Sequence, residues 1–426
     1  MRILTLGLAA CLAALPISTH ASEAGDLLRD SLYAGKFEAG LAKLAQFPAD
    51  DTEAQFGQGV LTLSLGLEGL VQDLYRYGAT APDTSFAAMF FGGGGPAAEP
   101  ANPDPEKLTY AAFRTVLSRF VQKMDAAKVL LEAGGASGDY VTTIDPLLIR
   151  IDLDGDGKAE ESESLGNYLA PLMNFNADMP PQIDEPPPSG KIKNKHKLDS
   201  TVGLDRADAL WLAGYSQVLA VQADFLLAHD FEPLVNTYFH RIFPKAGLPM
   251  QGFDHAGSLF VDPTSDSGIA DVIAALHNLN FKVIEPERMA GVLARLKSIT
   301  ALSRQNWQAI LAETDDNREL VPSPKQTSLA PETRVTDETV TAWMATLDTA
   351  DQVLDGKLLI PHWRFKQGFD LKAYFETATE TDLVMLFTGY GALPFLRDGA
   401  IANAQSFAAA NAVFGDNLWA YAFWFN

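Results

Sequence analysis

Apolar residues recur at helical spacing through most of this chain, and this pattern constrains its fold more than any other feature. In residues 107–132, the side chains of Phe113, Val116, Phe120 and Met124 follow one another at intervals of three or four. Such spacing places them on one face of an α-helix, where they can pack against a core. The same interpretation covers a pair of short N-terminal helices and six later segments: 22–47, 61–77, 204–240, 267–279, 287–313, 337–354 and 371–387.

Strand patterns are scarce by comparison. Residues 140–151 are one candidate, because Ile149 and Ile151 alternate around Arg150. A chain of 426 residues, of which 47% are hydrophobic, is too long for one small core. We therefore expect a mainly α, multi-helical fold with two or more packed helical units. Residues 404–426 end in a run of aromatic side chains, which we expect to be a buried closing segment.

Stretches rich in Pro and Gly interrupt the helical segments. The longest begins at residue 179 and continues into a basic run at 191–197. Such stretches do not hold regular elements and are typical of surface linkers. After a signal peptide over residues 1–21, we expect an N-terminal helical unit over 22–178, a Pro-rich and basic linker over 179–203, and a C-terminal helical unit over 204–426.

Residues 1–21 have the layout of a secretory signal peptide. Arg2 precedes an uncharged apolar run over 3–15, and the segment ends at Ala21 with a small side chain that a signal peptidase accepts. The run is too short to span a membrane, which takes ~20 apolar residues. We expect cleavage after Ala21, export to the periplasm and no transmembrane segment in the mature chain.

Cys11 leaves an alternative to this localisation. The sequence Leu8-Ala9-Ala10-Cys11 resembles the lipobox of bacterial lipoproteins, which would make the chain lipid-anchored through Cys11. If cleavage follows Ala21 instead, the mature chain contains no cysteine. It then forms no disulfide, and its stability depends on core burial and on any bound metal.

The net charge excludes one class of partner. The chain carries 54 acidic and 32 basic residues, a formal net charge of −22. Such a chain repels phosphate backbones, so we expect no nucleic-acid partner. The same charge favours cations, although solubility alone accounts for most of the carboxylates.

Residues 152–163 carry the sequence pattern that indicates a metal-binding site. Carboxylates stand at the first, third, fifth and twelfth places of this stretch and glycine at the sixth, as Asp152, Asp154, Asp156, Glu163 and Gly157. The stretch resembles an EF-hand calcium loop, in which these places hold oxygen ligands and a sharp turn. Calcium takes about 6–8 oxygen ligands, which suits such a loop. The sequence therefore predicts one bound Ca²⁺.

The resemblance also implies a role for each remaining ligand. Lys158 would offer its backbone carbonyl, and Glu160 would bind directly or through water. Glu163 would close the site with two oxygens. The alternative interpretation is a solvated acidic turn without metal. Without an ion, six carboxylates lie close together in this loop, so we expect calcium to stabilise the fold.

Ala159 departs from the family pattern, which has Ile or Val at this place for pairing with a second loop. No second matching loop occurs in the sequence. The segment before the loop looks more like a strand than the usual helix, and we expect the exit helix over 161–173. The loop is therefore similar to the stand-alone Asp-x-Asp-Gly-Asp-Gly loops of exported bacterial proteins, and a sensor role with large helix opening is not expected.

A second resemblance lies near the N-terminus. Residues 35–44 and 53–59, joined through Pro48, resemble part of a tetratricopeptide repeat and cover about one repeat length. No second copy follows at the same period. The resemblance implies a helical hairpin and does not imply a repeat array.

Catalytic motifs for zinc proteases, nucleophile elbows, phosphate loops and dinucleotide binding do not occur in the sequence. This favours a non-enzymatic scaffold or binding module with calcium fixing its loop and a protein or peptide as a further partner. An exported hydrolase is the alternative, with a site assembled from His229, His240 and His255 and an Asp. Calcium-dependent adhesion or envelope assembly is a third, which predicts an exposed apolar patch beside the loop.

Overall fold

The computed structural model describes residues 22–80, 102–168, 200–243, 245–250, 263–329, 335–415 and 418–425. The predicted signal peptide and most of the predicted linker lie outside these residues, as does His255. The described part of the chain is mainly α, as predicted. Its α-helices include α1 (Glu23–Ala34), α2 (Phe37–Leu44), α3 (Thr52–Arg76), α4 (Tyr110–Gly135), α5 (Arg206–Leu227), α6 (Glu232–Tyr238), α7 (Pro263–His277), α8 (Pro286–Ala312), α9 (Asp337–Leu354), α10 (Leu371–Thr377), α11 (Leu383–Thr388), α12 (Ala408–Phe414) and α13 (Leu418–Phe425).

Side chains that cap backbone N–H groups fix where several helices begin. Asp51 accepts a hydrogen bond from the Ala54 backbone N–H at 2.9 Å and starts α3. Thr109 caps α4 in the same way, and Asp205 and Asp208 form a reciprocal capping box at the start of α5. These contacts satisfy donors that a helix leaves unpaired at its first turn.

Four long helices form the centre of the molecule. Helix α4 packs against both α3 and α5, and α8 also packs against α5. The largest hydrophobic core takes buried residues from both predicted units, including Leu28, Phe56, Trp307 and Phe425. The two predicted helical units are therefore packed on each other through a common core.

The strands are short and form three antiparallel sheets. Strand β1 (Thr142–Ile144) pairs with β2 (Val202–Leu204). Strands β3 (His229–Asp230), β4 (Asn280–Val283) and β7 (Glu380–Asp382) form the second sheet in the order β3-β4-β7, and β5 (Ile360–Pro361), β6 (Gly368–Phe369) and β8 (Leu396–Arg397) form the third in the order β5-β6-β8. Because β2 includes residues 202 and 203, the last part of the predicted linker is ordered against the N-terminal unit.

Two sequence-based expectations about local structure are wrong in detail. The helix expected over 371–387 is divided by β7, because residues 380–382 leave the helix to pair with β4. The exit helix expected from residue 161 begins at Leu165, after a 3₁₀ turn over Glu161–Glu163 and a bridge between Arg150 and Ser164. The strand candidate over 140–151 is confirmed only in β1.

The closing segment predicted for residues 404–426 forms α12 and α13. Phe414 and Phe425 are buried in the largest core, and the Trp307 indole donates a hydrogen bond to the Phe425 carbonyl oxygen at 3.2 Å. The Trp211 indole of α5 donates to the Trp424 carbonyl oxygen at 2.9 Å. The aromatic tail therefore completes the core through both packing and hydrogen bonds.

Within the described residues, Arg206–Ala228 is the one helix whose length and mean hydropathy would suit a membrane span. This helix, α5, packs against both α4 and α8, and its Asp208 and Asp224 are buried. Its apolar character is accounted for by its central place in the core.

Candidate metal centre

Three of the predicted calcium ligands converge in the structure. Asp152, Asp154 and Asp156 each place a carboxylate oxygen within 4.8 Å of the other two. Asp152 is buried, whereas Asp156 is exposed, so the group opens from the protein towards solvent. Carboxylate oxygens are among the hard ligands that bind Ca²⁺ in proteins, so this group could hold such an ion.

Backbone N–H groups hold these carboxylates in place. The two oxygens of Asp152 accept hydrogen bonds from the N–H groups of Gly155 at 2.7 Å and Gly157 at 2.9 Å. Asp154 accepts from the Asp156 N–H at 3.0 Å, and Asp156 accepts from the Lys158 N–H at 2.8 Å. The fold of the loop thus fixes the positions of these carboxylate oxygens.

The turn depends on glycine at two places. Gly155 and Gly157 have φ angles of +77° and +85°, in the left-handed region that side chains with a Cβ rarely adopt. A Cβ added at Gly157 would meet no heavy atom within 4 Å. The requirement for glycine at position 157 is therefore conformational, as the sequence pattern predicts.

Glu163 joins the two ends of the loop. One of its carboxylate oxygens accepts from the Leu153 N–H at 2.9 Å and the other from the Glu160 N–H at 2.7 Å. It does not belong to the group of three converging Asp. A carboxylate has about four lone-pair sites, so these two bonds leave acceptor capacity for a cation.

The two remaining predicted ligand residues, Lys158 (through its backbone carbonyl) and Glu160, are both exposed. The Lys158 ammonium lies 3.4 Å from an Asp156 oxygen, and both side chains are exposed. The Glu160 carboxylate caps the 3₁₀ turn by accepting from the Glu163 N–H. The structure thus gathers the three Asp and leaves Lys158 and Glu160 at the exposed edge.

The loop is fastened to the N-terminal helices by contacts that the sequence analysis missed. The Gln72 side chain of α3 donates to the Asp152 carbonyl oxygen at 2.9 Å, and the Glu68 carboxylate accepts from the Asp152 N–H at 3.2 Å. Burial raises the pKa of Glu68 to about 7, and the negative charge of Asp152 acts in the same direction. Glu68 and Gln72 are four residues apart, so they share one face of α3, and this spacing was the only signal that the sequence offered.

A second group of carboxylates lies away from the loop. Asp205, Glu313 and Glu319 have oxygens within 4.8 Å of one another, and Asp205 and Glu319 are buried. Burial raises the pKa of Glu313 to about 8 and that of Glu319 to about 7, with the charge of Asp205 adding to both. Burial also raises the pKa of the neighbouring Asp208 well above its usual range. The sequence analysis missed this cluster because Asp205 is more than a hundred residues from Glu313 and Glu319 in the sequence.

The described histidines have distinct surroundings. His229 is buried; its Nδ1 lies 2.6 Å from the Phe225 carbonyl oxygen and its Nε2 lies 2.7 Å from Thr381 Oγ1. Burial lowers the pKa of His229. His240 pairs with Asp271 at 2.9 Å, and Arg241 binds the same carboxylate oxygen at 2.6 Å. The contacts of His229 are those of a core residue.

Exposed apolar side chains occur both near the loop and at a distance from it. Leu148 and Tyr168, which flank the loop in sequence, are exposed. Two aromatic side chains that are more exposed, Trp363 and Phe387, lie in the C-terminal part of the chain. The Trp363 indole donates a hydrogen bond to the Phe387 carbonyl oxygen at 2.9 Å. The loop itself packs on α1 and α3.

Comparison of the chain with protein-family models, with curated proteins and with solved structures finds no match.

Proposed function

We propose that this chain is an exported, calcium-binding helical protein, a non-enzymatic scaffold or binding module whose loop 152–163 is locked by one Ca²⁺. The convergence of the Asp152, Asp154 and Asp156 carboxylates supports this proposal most strongly. Glu163 would complete the ligand set with carboxylate oxygens, Lys158 with its carbonyl, and Glu160 directly or through water.

Calcium would act on stability through linkage. An ion that binds the folded loop and not the unfolded chain stabilises the fold by about 2.7 kcal/mol at a concentration of 100 times its Kd. It would also offset the repulsion among the clustered carboxylates. Since the loop is bonded to Glu68 and Gln72 of α3, this stabilisation would reach the N-terminal helices.

Calorimetric titration of calcium into chelator-treated protein, residues 22–426, tests the site. We expect one binding event with a Kd between about 1 μM and 1 mM, as in exported modules and sensors. Asp154→Asn and Glu163→Gln each remove one ligand charge and keep an oxygen acceptor, so we expect at least about tenfold weaker binding (1.4 kcal/mol). Asp152→Ala would remove both the ligand and its two backbone hydrogen bonds.

Glu161→Gln is the matched control, because Glu161 is exposed, stands in the same loop and loses the same charge. Its affinity for calcium should stay within about twofold of the parent protein, since it is no predicted ligand. No heat and no rise in melting temperature at millimolar calcium would refute the metal site. An equal loss in Glu161→Gln would show that only the summed charge matters.

Export is tested by the mass of the protein purified from a bacterial periplasm. We expect a chain that begins at Ser22. A lipid-modified chain that begins at Cys11 would instead support the membrane-anchored alternative, and an uncleaved chain in the cytoplasm would refute export.

A further inference from the structure

An apolar cavity lies between α8, α9 and the C-terminal helices. Its volume is about 710 Å³. Among the described residues, Ile299, Trp343, Leu347, Phe407 and Leu418 supply large apolar side chains to its wall. Pockets for small organic ligands have volumes of about 300–1,000 Å³ and mostly apolar walls, so this cavity has the size and the lining of such a pocket.

Small side chains create this space. Ala350 of α9, Ala402, Ala404 and Ala422 of α13 all line the cavity. Larger residues at these places would fill it with protein atoms, as the rest of the core is filled. The wall is also fixed, because Trp343 is buried and its indole donates a hydrogen bond to Ser303 Oγ at 3.0 Å.

Among the lining residues that the structure describes, none has an ionisable side chain, although 20% of the residues in the chain are charged. Its polar side chains are those of Thr300, Thr346, Asn403 and Asn411. Thr346 donates to the Ala342 carbonyl oxygen at 2.8 Å, and the Asn403 side chain accepts from the Gln405 N–H at 2.8 Å. A charged ligand would be desolvated here without a countercharge, whereas a neutral one would not pay that cost.

We propose that this cavity binds an uncharged small molecule with an aliphatic or aromatic body and a hydroxyl or amide end. The body displaces water from the apolar wall, which is favourable in proportion to the area covered. The exposed Asn411 of α12 places a neutral donor and acceptor at the mouth, where the polar end of the ligand lies. This site is separate from the calcium loop and goes beyond the proposed function.

Binding of the neutral fluorophore N-phenyl-1-naphthylamine to the full mature chain is the first measurement. It is carried out both with calcium and with chelator, so that the result does not depend on the metal. We expect saturable binding, and displacement by 1-alkanols whose affinity rises about fourfold per added methylene, from ~0.8 kcal/mol for each buried CH₂. Decanoate should compete at least about tenfold more weakly than 1-decanol, because it carries a charge into the same site.

Ala350→Phe places a ring in the cavity and should weaken fluorophore binding at least about tenfold, as expected when the site is filled. The matched control is Ala301→Phe, which adds the same ring to an exposed position of α8 and should bind as the parent does. If Ala350→Phe does not fold, the alkanol and decanoate series in the parent protein decides the question. The proposal would be overturned if the fluorophore shows no saturable binding, or if decanoate competes as well as 1-decanol. It would also be overturned if a folded Ala350→Phe variant binds the fluorophore as the parent does. That last result would place the probe elsewhere, such as at the exposed Trp363 and Phe387.

Discussion

Ala159 of the acidic loop lies directly against Gly35, the residue that ends α1. A Cβ added at Gly35 would lie 2.1 Å from the Cβ of Ala159 and 3.2 Å from the Arg150 carbonyl oxygen. Nearby, the Arg150 N–H donates to the Leu32 carbonyl oxygen at 3.0 Å. The small side chain at position 159, where the EF-hand pattern has Ile or Val, therefore matches a close contact with the α1–α2 turn. Pairing with a second loop is not needed to explain this side chain.

Replacing Gly35 by Ala should destabilise the protein by about 1–3 kcal/mol. The new methyl group would clash with Ala159, and overpacking of this kind costs about that much. Gly35 also has a φ of +58°, which adds backbone strain for a residue with a Cβ. Urea unfolding measures the change, and calcium affinity should fall as the loop is displaced.

The control for this substitution is Gly291→Ala on α8, where an added Cβ meets nothing within 4 Å. Because alanine favours the helix, this variant should gain about 0.5–1 kcal/mol. Equal stability of the parent and Gly35→Ala would show that the loop does not rest on the turn as described.

Substitutions at Gly157 separate backbone strain from steric conflict. The position is exposed and spacious, and its φ is +85°. Asparagine can adopt a positive φ in this left-handed region of backbone conformation, whereas the β-branched valine cannot do so without strain. We expect Gly157→Val to weaken calcium binding about tenfold (1.4 kcal/mol) and Gly157→Asn to weaken it much less. Calorimetric titration of the two variants measures their calcium affinities. An equal loss of affinity in both would contradict a conformational role for Gly157.

Glu313→Gln should stabilise the protein in alkaline solution. Burial and the charge of Asp205 raise the pKa of Glu313 from near 4.5 to about 8, so the folded chain retains a proton that the unfolded chain releases. Stability is therefore lost as the pH rises from about 4.5 through 8. Glutamine removes this loss, and we expect a gain of about 1 kcal/mol at pH 9 that disappears near pH 5; the gain is modest because Glu313 keeps some contact with water.

Urea unfolding in chelator at pH 5, 7 and 9 tests this pH dependence. Glu287→Gln, an exposed change of the same kind on α8, should give no such pH-dependent gain. A gain in Glu313→Gln that is equal at all three values would mean that packing, and not the proton, is responsible.

Arg295→Met should cost about 2–3 kcal/mol. Arg295 Nε lies 2.9 Å from an Asp224 oxygen, and Nη2 lies 3.1 Å from an Asp125 oxygen. Removing Arg295 takes away one of the two cations that bind the buried Asp224 carboxylate, and only Arg288 then remains paired with it. Removal of the exposed Arg76, paired with Glu106, is the control and should leave stability unchanged within error. Thermal and urea unfolding measure both variants.

Local signals predicted much of the helical structure. The break expected at residues 34–36 lies between α1 and α2, where Gly35 adopts the left-handed conformation. Helix α9 has the bounds that were expected from its apolar spacing, because Thr336 caps its first turn. The proximity of the Asp152, Asp154 and Asp156 carboxylates could also be expected, since the three residues lie within five positions of one another in the sequence.

Contacts between distant residues could not be predicted in this way. Residues 371–387 carry a helical pattern throughout, yet Thr381 leaves the helix to bond with His229 and with the Tyr374 hydroxyl. The carboxylates of Asp205 and Glu319 likewise meet only because β2 and α5 bring them together with the segment after α8. The local sequence pattern favours a helix in each of these segments, but contacts with distant residues override that preference.

The largest core unites residues near the start of α1 with Phe414 and Phe425, which are separated by most of the chain. Contacts of such long sequence separation form late, because the intervening chain must first be ordered. Until α13 arrives, the apolar faces of Trp307 and Trp343 lack their aromatic neighbour Phe425. Helices α1–α4 contact one another at shorter sequence separation and can form first, whereas the core that includes Trp307 and Trp343 closes only when the last helix is in place.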